Sequence, residues 1–205
     1  MTSNKRFIAL ALTLALGIAI PLLAWRGGES ATATTGGIIT MYARDAFSST
    51  LCFADGRYGT TAQDGVVKNR CSDLSFGTFY PNSFSAGIEG GRVAAIVDLG
   101  TEDDLRATYK FEETVGGGIG FASIQLKQQK LYISKNRKEK TLQEMSGTDA
   151  LFGKLRGLAS APILAGHIYV LHRGDEHEPA KELFVKLLVV SYTPGDAVTI
   201  RWQVL

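Results

Sequence analysis

An unbroken apolar run opens this chain and a strict alternation closes it, and the two patterns predict different structures. Phe7 to Trp25 are nineteen consecutive uncharged residues, preceded by Lys5 and Arg6 and ended by Arg26. At ~1.5 Å per helical residue the run reaches roughly 28 Å, close to the hydrocarbon thickness of a bilayer. It is apolar on every face, unlike the one-sided helices of soluble domains. At the other end Val198, Ile200, Trp202 and Val204 alternate with Thr199, Arg201 and Gln203, the period of a half-buried strand. Leu183 to Tyr192 is nearly all aliphatic, interrupted by Lys186 and Ser191, and predicts a central strand covered on both faces. Thr193-Pro194-Gly195-Asp196 between them reads as a turn, so the pair predicts a hairpin.

Shorter apolar runs bounded by Gly, Asn or Asp predict strands at 38–43, 92–99, 107–112, 120–126, 130–134, 140–145 and 167–173. Leu151, Leu155 and Leu158 recur at helical spacing with Phe152 alongside, predicting one short helix over 149–158 that Gly153 and Gly157 weaken. Asp103 to Arg106 reads as a single turn. The predicted fold is all-β: mainly an antiparallel β-sandwich, or a jelly-roll-like or barrel arrangement, with one short helix. An N-terminal transmembrane or signal helix precedes it. Residues 1–25 form that segment, 26–37 a polar linker of small residues, and 38–205 one extracytoplasmic domain.

The apolar run fits two addresses. As an uncut anchor, with Lys5 and Arg6 holding the N-terminus in the cytoplasm, it makes a single-pass membrane protein through residues 7–25. As a signal, it is removed after Ala33, where Ala31-Thr32-Ala33 offers small residues at the required positions, and the product is secreted or periplasmic. Both place the domain in the cell envelope, outside the cytoplasm. Charge follows from this: Lys5, Arg6 and Arg26 against Glu29 account for the whole net charge of +2. The exported part is formally neutral, with no field that favours nucleic acid. Cys52 and Cys71 are the only cysteines. In an oxidising compartment they predict one disulfide across a Gly-, Asp- and Thr-rich segment, contributing ~3 kcal/mol by loop closure.

Candidate chemistry is sparse. His167, His172 and His177 are spaced five apart, but an odd offset on a strand sends His167 and His172 to opposite faces, so no metal site is expected. The glycine run within 113–121 lacks the spacing of a nucleotide loop, and no cofactor is expected. No recognised nucleophile or metalloprotease motif occurs. Asp98 ends an apolar strand and reads first as a turn cap. Together with Glu89 and His167 it is the weak acid/base candidate. Two surfaces could bind. One is a basic hairpin around Lys135, Arg137 and Lys138. The other is the segment Phe76 to Phe84, whose Phe79 and Tyr80 mark a contact if exposed but close one end of the sandwich if folded under, the arrangement expected. The leading expectation is a non-enzymatic binding or interaction module meeting an envelope protein or polymer. The rival is a hydrolase or isomerase acting on an envelope polymer through Asp98, Glu89 or His167.

Overall fold

The C-terminal hairpin forms as its alternation requires. Strands β14 (Leu183–Thr193) and β15 (Ala197–Val204) pair antiparallel around the turn, with Val198, Ile200 and Trp202 buried on one face. The computed structural model describes residues 35–63, 66–69, 71–87, 92–111, 123–135, 141–152, 159–175 and 182–205, all within one compact unit, Ala33–Leu205. The apolar segment 7–25, Glu89, the glycine run 113–121, Arg137, Lys138 and His177 lie outside the described residues. Among the described residues no helix is long and apolar enough to cross a membrane.

The hairpin is the middle of a five-stranded antiparallel sheet. The order runs from β1 (Gly36–Tyr42) through β15 and β14 to β13 (His167–Asp175) and β8 (Arg92–Thr101). A second sheet is built from β2 (Thr50–Cys52), β3 (Arg57–Tyr58), β6 (Leu74–Phe76), β7 (Ser83–Ala86) and β12 (Ser160–Pro162). A separate hairpin joins β4 (Thr60–Gln63) to β5 (Val66–Asn69). One continuous core lies between the two large sheets: Met41, Leu171, Leu187, Val189, Ile200 and Trp202 meet Leu51, Phe53, Leu74, Phe76 and Phe84. This is the expected sandwich, all-β and antiparallel. Its second sheet was not predicted, because its strands are only two to four residues long, too short for a period to register.

The outer face of the first sheet carries a second core. Helix α1 (Glu102–Tyr109), the small sheet of β9 (Ile124–Lys127), β10 (Lys130–Ser134) and β11 (Leu142–Glu144), and a 3-10 turn at Asp149–Leu151 pack there around Ile168, Val170 and Leu188. The helix corrects one expectation. Residues 107–109 are helical rather than strand, in a helix at 102–109, and residues 149–151 form a 3-10 turn where a second helix was expected to start, the remainder of which, 153–158, lies outside the described residues. The reason is a capping box. Thr101 Oγ1 accepts the Asp104 N–H at 3.2 Å while Asp104 accepts from Thr101 N–H at 2.9 Å, with three acidic residues in the first turn favouring the helix dipole.

Cys52 and Cys71 are bridged, with Cα atoms 5.1 Å apart. A buried disulfide is the chemistry of an oxidising, extracytoplasmic setting. Beside it Cys52, Cys71 and Asp73 cluster like metal ligands, but both sulfurs are committed to each other and offer no thiolate.

Candidate functional site

Strand polarity sorts the connections into two ends. The start of β1 and the finish of β15 share one end, since Gly36 pairs with Gln203. The opposite end collects the loops 43–49, 77–82 and 163–166 and the turn 193–196. Three contacts show that these loops touch. Ala43 N–H donates to the Asp196 carbonyl at 2.7 Å, Ile163 N–H donates to the Asn82 carbonyl at 3.0 Å, and a Cβ at Gly77 would meet the Ala43 Cβ at 3.1 Å.

This loop end carries most of the large apolar side chains exposed among the described residues. The segment Phe76 to Phe84 divides there. Phe76 and Phe84 face each other across the β6–β7 pair and are fully buried, one edge-on to Tyr192 and the other to Tyr169. Phe79 and Tyr80, at the tip, are 57% and 59% exposed. The expectation that the aromatics fold under holds for the flanks and fails at the tip. Strand alternation buries the flanking rings, but Gly77 and Asn82, both left-handed, turn the chain away before Phe79 can follow them. Phe47 and Leu164, on two of the other loops at this end, are exposed as well.

Each tip is braced by polar bonds. Asp45 accepts the Phe47 N–H at 2.8 Å and the Ser48 hydroxyl at 2.9 Å, bonds that hold its carboxyl below the usual range and lift Phe47 outward. Ser75 Oγ and Thr78 Oγ1 are 2.7 Å apart at the base of the aromatic loop. Tyr169 donates its hydroxyl to the Pro162 carbonyl at 2.9 Å and accepts the Leu164 N–H at 3.0 Å, and burial pushes the phenol up to about 12. Phe47 and Leu164 were not read from the sequence. The Asp45-Ala46-Phe47-Ser48 pattern was the available signal, since Asp accepts readily from the N–H two residues on.

Asp98 and His167 also meet at this end. His167 Nδ1 lies 3.0 Å from both carboxylate oxygens of Asp98, and Asp98 Oδ1 accepts the Gly100 N–H at 2.8 Å, the expected turn cap. Both side chains are about a quarter exposed. In the neutral ring this arrangement places the proton on Nδ1 and leaves Nε2 as an acceptor. His172 does not join them. Its Nδ1 contacts the Leu151 carbonyl, its Nε2 lies 2.7 Å from Glu182 Oε1, and its ring stacks on Phe184.

On the small sheet, Lys130 donates to Glu144 at 2.6 Å, and Lys135 enters the turn with its N–H on the Thr141 carbonyl. The remainder of the basic hairpin lies outside the described residues. A recess at the opposite end of the sandwich is lined by Thr35, Gly36, Gly37, Ile38, Arg201, Trp202 and Gln203, with no carboxylate or imidazole. The chain matches no protein-family model, no curated protein and no solved structure.

Proposed function

We propose that this chain is a non-enzymatic binding module of the cell envelope and that it contacts its partner through the loop end. The observation that carries this reading is the split within one aromatic segment: Phe76 and Phe84 are fully buried, whereas Phe79 and Tyr80 are more than half exposed. Large rings held outward on braced loops are the composition of contact surfaces. Phe47 and Leu164 extend the patch. The chain enters the domain at Gly36, at the end of the strands opposite these loops.

The test is site-specific photo-crosslinking. A benzophenone side chain placed at Phe79 in the full chain, irradiated in the intact envelope, is expected to yield discrete adducts. The same group at Ala107, on the exposed side of α1, is expected to yield none. Equal labelling at both positions, or none at Phe79, removes the reading.

The Asp98–His167 pair favours a second reading, a hydrolase or isomerase acting on an envelope polymer. Asp98 would orient the ring as positioning residue and His167 Nε2 would act as the base. Product release from isolated envelope polymer that His167→Gln abolishes, with folding intact, would support it. Identical turnover in the variant would exclude it.

A further inference from the structure

The outer edge of β1 is open where the chain enters the domain, and the direction of its peptide groups follows from hydrogen bonds on either side of the strand. The Thr35 carbonyl accepts Val204 N–H at 2.9 Å and Ala43 N–H donates to Asp196 at 2.7 Å, so odd-numbered residues turn toward β15. Even-numbered residues turn away from it: the Thr40 carbonyl accepts the Tyr58 hydroxyl at 2.6 Å and Tyr42 N–H donates to Ser48 at 3.3 Å. By the same alternation the N–H and C=O groups of Gly36 and Ile38 point outward, and no strand among the described residues pairs with them. Ile38 is 69% exposed, the most exposed large apolar side chain described. Monomeric proteins blunt such edges with lysine, proline or a bulge. Gly36-Gly37-Ile38-Ile39 has none of these.

We propose that a second copy of this chain docks on this edge, the two β1 strands pairing antiparallel about a two-fold axis at Gly37. The outward groups of Gly36 then exchange hydrogen bonds with those of Ile38 in the other copy, and symmetry repeats the exchange. Each exposed Ile38 falls opposite a glycine, so it meets no facing side chain in the other copy. At the axis Gly37 faces Gly37, so neither residue brings a side chain of its own to the close approach of a non-hydrogen-bonded pair, and the Trp202 ring of each copy lies over its own Gly37. Tyr58, seated on Thr40, stops the ladder beyond Ile38. An occupant therefore needs a small residue opposite Ile38 and only a short length of free edge. This strand meets both requirements itself, which is the self-complementarity of a two-fold interface. The proposal is independent of the loop-end reading, since it uses the other end of the sandwich.

The contact is small, so it is tested in the full chain within the envelope of the expressing cell, where copies lie close together. Among the described residues no cysteine is free and the chain's two are bridged, so Ile38→Cys adds a single reactive thiol. In the proposed register the two residue-38 side chains lie on one face, diagonal to each other at ~7–8 Å, within reach of a short bismaleimide. Tyr42→Cys, on the same edge, places its two thiols roughly 30 Å apart. The expected result is a covalent homodimer from Ile38→Cys and monomer from Tyr42→Cys, read by mass spectrometry. Homodimer from both variants means random collision and overturns the proposal. Absence of homodimer at position 38, or an adduct there to a different protein, overturns it equally.

Discussion

Arg173 Nε lies 3.2 Å from Asp73 Oδ1, with the Asp73 side chain fully buried and that of Arg173 nearly so. The contact joins β13 in one sheet to the segment entering β6 in the other, and the second oxygen of Asp73 accepts the Phe53 N–H at 2.9 Å. Removing one member of a buried pair strands the other charge away from water. Asp73→Ala is therefore expected to lower stability by about 3–5 kcal/mol, read from urea unfolding midpoints. Asp73→Asn, which keeps an acceptor for Phe53, should lose less.

The Cys52–Cys71 bridge closes the segment that contains β3, β4 and β5. Protein denatured without reductant should show no titratable thiol. The double variant Cys52→Ala/Cys71→Ala should unfold about 3 kcal/mol more easily. Two free thiols in the untreated protein would contradict the structure.

Two buried groups give stability an alkaline profile of defined sign. Lys186 is 1% exposed in the middle of β14, and burial, reinforced by the Arg201 charge, pushes its ammonium down to about 8 from 10.5 against the pull of Glu102. Between those values the unfolded chain binds the extra proton, so stability rises with pH, by an amount on the order of 3 kcal/mol. Tyr169 works in the opposite sense. Its phenol, raised by burial from 10.0 to about 12, stays protonated after the unfolded chain has ionised, so stability falls from pH 10 upward. Thermal melts between pH 7 and pH 12 should peak near pH 10. Lys186→Met should flatten the rising limb and leave the falling one.

Within the aromatic segment the four rings should separate cleanly. Phe76→Ala and Phe84→Ala empty fully buried space in the sandwich core and are expected to cost about 3–5 kcal/mol. Phe79→Ser and Tyr80→Ser lie at exposed positions and should change stability by no more than about 0.5 kcal/mol. If the tip variants unfold the protein as the flank variants do, the rings are core and the loop end is no contact surface.

What was legible in the sequence depended on the length over which a pattern repeats. Val198 to Val204 alternates for a full strand, and both its pairing and its buried face follow from that. Lys130 to Ser134 was bounded by polar turns and appears at the predicted residues. The strand β2 offered only Thr50-Leu51-Cys52, which alternates with nothing, and its place is set by β6 and the disulfide rather than by its own residues. The helix was masked by Leu105 and Tyr109 reading as isolated apolar residues. Its signal was the Thr101–Asp104 cap, a local hydrogen-bonding preference rather than a period. The site divides likewise. The turn-capping role of Asp98 was readable from Gly100. Its meeting with His167 needed β8 and β13 to be neighbours, sixty-nine residues apart in the chain. Burial of Phe76 and Phe84 beside exposure of Phe79 depended on which side of two left-handed residues each ring falls.

The antiparallel pairing of β1 with β15 also decides how the domain bears mechanical load. Thr35 and Leu205 leave from the same end of adjacent strands, so tension applied between them opens the ladder one hydrogen-bonded pair at a time, like a zip. Tension between Thr35 and the loop tip at Tyr80 runs along β1 instead. There the bonds of Gly37, Ile39 and Met41 to β15 lie across the force and resist it together in shear. A partner pulling at the loop end would thus load the domain in its strong direction.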